Sequence, residues 1–279
     1  MKSPKVEGTF IPGRDVTSGA DRPRLHLHGW LMTVIFLIIS LPEGLADGRT
    51  NIHSFDSYSQ EDGLPNNQIQ CIYQDSRGWI WLGTSQGLSR FDGYRFVNYI
   101  NDPDDTTSLS GRLIRVIFET SDGRLLIGTE NGGLNLWDRE KERFFHPYRQ
   151  HSEFSTPGMS VNAIIEDSHG ILWFGTDQKL IRILPDGMPE EVLPSGDGLT
   201  GVSTDLFIRC IQEDREGNLW IGATQGLFVY NPKENSLHEF VLPLTNTLSK
   251  EVFEIVMDDE GMLWTGTYKI GRASCRERV

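Results

Sequence analysis

The sequence predicts an all-β fold in which one four-stranded antiparallel unit is repeated around a ring. A tetrapeptide close to Trp-x-Gly-Thr returns at steps of 45, 47, 47 and 44 residues, with its glycine at Gly83, Gly128, Gly175, Gly222 and Gly266. Each interval offers four short strand-like segments separated by turn residues. No helical periodicity of useful length follows residue 47. Together these observations predict an incomplete β-propeller of about four and a half blades.

The strands of the first unit are predicted at residues 69–74, 79–83, 88–91 and 96–99. In every copy the first strand has an apolar residue six and three positions before the following turn: Ile69 and Ile72, Ile114 and Ile117, Val161 and Ile164, Ile208 and Ile211, Val252 and Ile255. Further apolar residues lie between them, so we expect this strand to be enclosed between neighbouring sheets on both faces. The outermost strands are more polar, as is typical of solvated edges.

The turn between the first and second strands has the form Asp-x-x-Gly. It begins at Asp75, Asp167, Asp214 and Asp258, and Thr120 replaces the aspartate in the second copy. Aspartate bonds to its own backbone two residues on, and glycine tolerates a positive φ, so the pair predicts a tight hairpin. Calcium binding is the alternative for these aspartates, but each loop lacks further oxygen ligands.

The first 46 residues differ from the rest. A polar stretch with several lysines and arginines precedes an apolar run at residues 30–41, and Gly44-Leu45-Ala46 follows as a small-x-small site. Because a bilayer span needs about 20 apolar residues, the run is short for one. We expect residues 1–46 to be a signal peptide or an N-terminal membrane anchor, with a buried helix as the alternative.

The partial propeller is expected to occupy residues 47–269, with blades at about 59–100, 101–150, 151–197, 198–245 and a partial blade at 246–269. Residues 51–58 resemble the stretch that closes later units, and they predict an orphan strand that completes a blade begun at the other terminus. Residues 270–279 are rich in charge and cannot form the expected third strand. We expect them to be a tail outside the repeat, at the end of a truncated sequence.

Charge and cysteine content narrow the class of protein. The formal net charge is −13, and a phosphate backbone requires a basic stripe, so we expect no nucleic-acid partner. The three cysteines, Cys71, Cys210 and Cys275, are too few for a disulfide framework. Since Cys71 and Cys210 occupy the same place in units three apart, we expect both to be small buried side chains rather than a bonded pair or catalytic thiols.

Repeated polar and aromatic residues predict structure rather than chemistry. Stacking on sugars is the alternative for the second-strand tryptophans, but a ligand site needs one place, so packing between blades is predicted for Trp81, Trp173, Trp220 and Trp264. The hydroxyls of Thr84, Thr129, Thr176 and Thr267 are expected to bond backbone groups at the strand end. His146 and His151 have poor spacing for a metal. We therefore predict no catalytic residue, metal or cofactor.

Residues that do not repeat are better candidates for ligand contacts, because they break the symmetry of the ring. They lie in the connecting segments 101–105, 143–151 and 197–205. The sequence favours no single residue among them.

The run from Gly63-Leu64-Pro65 through Asp75-Ser76-Arg77-Gly78-Trp79-Ile80-Trp81-Leu82-Gly83-Thr84 to Phe91-Asp92-Gly93 resembles the two-component regulator propeller repeat. The resemblance covers about residues 51–269. It implies the periplasmic sensor region of a bacterial hybrid histidine kinase or diguanylate-cyclase receptor, with a small-molecule or oligosaccharide ligand, downstream kinase or cyclase domains and pairing as a homodimer. An exported scaffold, a carbohydrate-binding propeller without signalling and a propeller glycan hydrolase or lyase remain alternatives.

Overall fold

The structure, a computed structural model, describes residues 56–147, 158–184, 186–192, 206–241 and 250–267. The chain divides into two units, Met1–Phe55 and Asp56–Val279, and all described residues belong to the second. The predicted leader, most of the orphan strand at 51–58 and the tail at 270–279 lie outside the described residues. One 3-10 helix, Gln60–Asp62, precedes the strands. Within the described ranges, no helix has the length and apolar character needed to cross a membrane.

The strands form antiparallel sheets in which chain neighbours pair in order. The first sheet has β1 (Ile69–Gln74), β2 (Ile80–Thr84), β3 (Gly87–Phe91) and β4 (Phe96–Tyr99), and the second has β5 (Ile114–Glu119), β6 (Leu125–Thr129), β7 (Gly133–Asp138) and β8 (Arg143–Phe145). The third has β9 (Val161–Glu166), β10 (Leu172–Thr176), β11 (Leu180–Ile183) and β12 (Pro189–Glu191), and the fourth has β13 (Ile208–Glu213), β14 (Leu219–Ala223), β15 (Gly226–Asn231) and β16 (Ser236–Phe240). In the fifth, the described residues form β17 (Val252–Met257) and β18 (Leu263–Thr267).

The sheets pack side by side as blades. The first strands contact one another in succession, from β1 through β5, β9 and β13 to β17, and each also packs on the second strand of the preceding sheet. The first strand is therefore the innermost strand of every blade. This arrangement confirms the predicted all-β propeller of four-stranded antiparallel blades.

The core lies between the blades rather than at one centre. Four clusters of buried apolar side chains each join a consecutive pair of sheets. Trp81 and Trp173 are fully buried in them and Trp220 is 4% exposed, which confirms the predicted packing role for these three. Trp264 is 50% exposed, because no described sheet covers that face of β18, so the prediction was wrong for this copy.

Burial of the first strand shows the same dependence on a neighbour. The two predicted apolar positions are buried in β5, β9, β13 and β17, as at Ile114 and Ile117. In β1, however, Ile72 is 66% exposed, because no described sheet precedes β1. The expectation of two enclosed faces is therefore wrong for the first copy, and also for β17, where Val256 is 52% exposed.

Candidate functional site

The turn aspartates are fully engaged in the fold. Asp75 Oδ1 accepts hydrogen bonds from the backbone N–H of Arg77 and of Trp79, both at 3.0 Å, and Oδ2 accepts from the indole of Trp81 at 2.9 Å. The same indole bond is made by Asp167 to Trp173, Asp214 to Trp220 and Asp258 to Trp264, at 2.8–3.0 Å. The predicted turn role is confirmed. Among the described residues, no group of three or more His, Cys, Asp and Glu side chains could hold a metal ion.

The second copy departs from the pattern at two positions that depend on each other. Thr120 takes the place of the turn aspartate, and Leu126 stands where the other copies have the hydrogen-bonded tryptophan. Without an indole N–H to satisfy, a buried carboxylate would lack its partner. The Thr120 hydroxyl instead accepts the backbone N–H of Arg124 at 3.0 Å, which closes the turn.

The threonines at the end of the second strand confirm their predicted role in three copies. The hydroxyls of Thr84, Thr129 and Thr176 donate to backbone carbonyls across the β2–β3, β6–β7 and β10–β11 turns, at 2.8, 3.0 and 2.9 Å. These side chains are therefore committed to the fold.

The sequence analysis did not predict a serine–glutamate contact that joins adjacent blades. Glu119, the last residue of β5, accepts the backbone N–H of Ser76 at 2.6 Å and its hydroxyl at 2.7 Å. The same bonds join Ser121 to Glu166 and Ser168 to Glu213, at 2.6–2.7 Å. Each serine directly follows the first residue of a turn, and each glutamate directly precedes the first residue of the next blade's turn. The three contacts therefore recur at the same places in the repeat.

Every first strand contains a β-bulge at the same position. The register with the second strand shifts between Ile69 and Cys71 in β1, and the shift recurs at equivalent residues of β5, β9, β13 and β17. A bulge leaves its extra residue unpaired and re-aims its side chain. The bulge residues are Gln70, Arg115, Asn162, Arg209 and Phe253.

These five residues line a cavity of about 360 Å³ between the first strands, which we call the axial cavity. Its walls also include Cys71, Cys210 and Glu254. Because the bulges lie near the start of each first strand, this end of the cavity faces the connections between the blades and the turns between second and third strands. Small-molecule sites in propellers and barrels form in such mouths.

Each arginine of the axial cavity is held by one carboxylate. Arg115 pairs with Glu130 and Arg209 pairs with Glu251. Arg209 also stacks between Phe207 and Phe253, with its guanidinium carbon 5.1 and 4.3 Å from the ring centroids. The Nε atoms of both arginines are buried and have no hydrogen-bond acceptor. These Nε atoms have almost no accessible surface, as is also true of Arg90 and Arg143, so they are not open to the cavity. The Arg115 and Arg209 side chains as a whole are nevertheless 30% and 26% exposed.

The two described cysteines are unbonded, and both pack beside a repeat glycine of the second strand. Burial raises the pKa of each thiol to about 12, and at Cys210 the charge of Glu254 adds to the effect. Cys210 is buried, as predicted, whereas Cys71 is half-buried because no described sheet precedes β1.

We expect both thiols to react with maleimide at pH 8 roughly 10³-fold more slowly in the folded chain than in guanidinium, because almost no thiolate forms at such a pKa. Peptide mapping by mass spectrometry would separate them from Cys275. Equal labelling rates in the folded and the unfolded chain would contradict the expectation.

The connecting segments proposed from the sequence are only partly described. Asn101 donates to the carbonyl of Leu109 at 2.6 Å, and Asp105 accepts the backbone N–H of Thr107 at 2.8 Å, so segment 101–105 is bonded within its own loop. His146 follows β8, whereas residues 148–151, with His151, and 197–205 lie outside the described residues. The bulge residues were missed, although four of the five are polar at a position between two apolar residues of the first strand.

Comparison with known proteins identifies the repeat. The family model described as two component regulator propeller matches residues 63–86, 108–131, 155–178 and 202–225. A curated histidine kinase, P4 of Formosa agariphila, is 40% identical over 75 residues, which are 27% of this chain and 5% of that protein. The chain thus spans only a small part of that relative.

Two solved structures are similar to this chain. The WD40 propeller domain of Doa1 is 11% identical, with a TM-score of 0.51 over 71% of this chain and 60% of that one. The extracellular domain of a hybrid two-component system from B. thetaiotaomicron is 22% identical, with a TM-score of 0.48 over 76% of this chain and 34% of that one. At 11% identity the similarity to the Doa1 domain shows the fold alone.

Proposed function

Because four segments of this chain match the two-component regulator propeller family, we propose that the chain is the ligand-sensing region of a membrane-bound two-component receptor, exported to the periplasmic face of the inner membrane. Four family matches and the identity to a histidine kinase support this proposal. In it, the kinase or cyclase domains of the receptor lie downstream of residue 279 and do the signalling chemistry, while the propeller binds a small molecule or an oligosaccharide.

The main support for a sensory role is that the first strand of each blade has two kinds of position, those that pack in the core and one that lines the cavity. The repeated apolar positions of the first strand pack between blades, whereas the bulge position carries four different residue types in five blades and lines the axial cavity. Binding there would change the spacing of adjacent first strands. A change in the packing of blades, or in the pairing of two receptor copies, would then shift the equilibrium between receptor states.

Export is tested by fusing alkaline phosphatase after residue 267, with and without residues 1–46. Alkaline phosphatase folds only outside the reducing cytoplasm. We therefore expect phosphatase activity in the fusion that contains residues 1–46 and loss of that activity in the fusion that lacks them. Equal activity in both fusions would contradict export.

Sensing is tested in the encoding organism by an in-frame deletion of residues 56–267 from the receptor gene. We expect the transcriptional response to at least one glycan of a broad panel to be lost. An unchanged response to the whole panel would refute the sensory role.

A further inference from the structure

We infer that the axial cavity binds a small molecule bearing an oxyanion, a carboxylate or a sulfate ester, and that Arg115 and Arg209 contact that group. The inference rests on the proposed sensory function and names its site and the class of its ligand.

The bulges are the first reason. The positions around each bulge are used by the fold: Ile114 is fully buried against the preceding blade, and the Val116 side chain packs beside Gly128. The bulge residue between them makes no ladder pair and lines the cavity instead. Five equivalent bulges therefore deliver one blade-specific side chain each to a single place.

The chemistry of those side chains is the second reason. Two of the five are guanidinium groups and two, Gln70 and Asn162, are carboxamides, so planar N–H donors dominate the ring. Asn162 is held in place because its amide donates to the carbonyl of Ile208 at 3.0 Å. Such a ring is suited to a ligand rich in acceptor oxygens.

The state of the two arginines is the third reason. The same arrangement occurs twice, on β5 and on β13: one carboxylate accepts from a terminal nitrogen, and the arginine side chain remains 30% exposed at Arg115 and 26% exposed at Arg209. A guanidinium edge matches a carboxylate or sulfate through two parallel bonds. An oxyanion in the cavity would pair with the exposed part of these two guanidinium side chains.

Charge and size limit the ligand. The chain is acidic, with a net charge of −13, and Glu130, Glu251 and Glu254 lie at or beside the cavity. A polyanion would be repelled, so the ligand carries one or two charges and adds hydroxyl contacts to the carboxamides. A volume of about 360 Å³ is at the lower end of the range for small-molecule sites.

The test is isothermal titration calorimetry of the 279-residue chain with three disaccharides: digalacturonate, a galactose disaccharide carrying one sulfate ester, and neutral digalactose. We expect an acidic probe to bind at least about 10-fold more tightly than the neutral one, and more weakly as salt is added. The carboxylate and sulfate probes separate the two sources of the oxyanion.

Variants locate the site. Arg115→Gln and Arg209→Gln are each expected to weaken binding about 10-fold or more, whereas Arg95→Gln, on an exposed turn, leaves it unchanged. Glu130→Gln is expected to tighten binding several-fold, because it removes a competing negative charge while keeping an acceptor. Arg209→Gln removes the contacts of the guanidinium with two phenylalanine rings and could unfold the chain. Glu130→Gln removes no packed side chain, so it tests the site even in that case.

Three outcomes would overturn the inference: no acidic probe binding the folded chain at about 10 mM, equal binding of the neutral probe, or equal effects of Arg115→Gln and Arg95→Gln. None of them affects the phosphatase fusion or the deletion experiment, so failure of the site and failure of the sensory role are distinguishable.

Discussion

Replacing Arg139 with methionine is expected to lower the free energy of unfolding by about 3–5 kcal/mol. Arg139 follows β7, and its side chain donates to Asp75 at 3.0 Å, to Glu119 at 2.5 Å and to the carbonyl of Gly123 at 3.3 Å. The side chains of Arg139, Asp75 and Glu119 are 12%, 0% and 7% exposed. Methionine keeps most of the apolar stem but leaves two buried carboxylates without their cation.

Chemical denaturation at pH 7, followed by tryptophan fluorescence, measures the loss. Arg124→Met is the matched control, since Arg124 also pairs with an aspartate but is 51% exposed, and exposed pairs contribute about 0–1 kcal/mol. The role of Arg139 as the cation of two buried carboxylates would be contradicted if Arg139→Met lowered the free energy of unfolding by less than about 1 kcal/mol, or if the two variants lowered it equally.

The pH dependence of this network has a defined sign. Burial by itself raises the pKa of Asp75, but hydrogen bonds from the Trp81 indole, the Trp79 N–H and Arg139 outweigh it and hold the pKa below its usual range. Stabilisation by such a carboxylate is present above its unfolded-state pKa of about 3.9 and is lost as the pH falls through the lower folded-state value. The difference between wild type and Arg139→Met should therefore shrink below about pH 4.

The repeat made much of this fold predictable. The strands of the first unit were predicted within one residue of β1 to β4, because turn aspartates and glycines mark both ends of each hairpin. Trp264 and Ile72 were the exceptions, since burial of a blade face depends on the neighbouring blade and not on the sequence of the blade itself.

Contacts that cross between blades were not predictable in the same way. Ser76 and Glu119 are 43 residues apart, and their pairing follows only once adjacent sheets are known to stack in register. Arg139 occurs in one copy only, so no periodicity pointed to it. The bulge residues were hidden because period-2 alternation assumes an unbroken ladder, and one extra residue reverses which side chain faces the axis.

Replacing Gly222 with alanine is expected to destabilise the chain by about 1–3 kcal/mol through overpacking. Gly222 lies on β14, where the repeat places glycine in every copy. A Cβ built there would approach Val252 Cγ1 of the next blade to 2.8 Å and would also collide with Cys210 Sγ on β13. The glycine is thus required by the close approach of two blades.

Gly266→Ala is the matched control for this substitution, because it changes the same repeat position. A Cβ at Gly266 meets nothing closer than the Glu254 Cβ at 3.6 Å, so the expected change is within about 0.5 kcal/mol. Thermal unfolding of both variants measures the contrast. If the clash with Val252 is the cause, Val252→Ala will cost less stability in the Gly222→Ala background than in the wild type, because contacting residues are not additive. Equal costs in both backgrounds would show that the glycine is needed for another reason than blade packing.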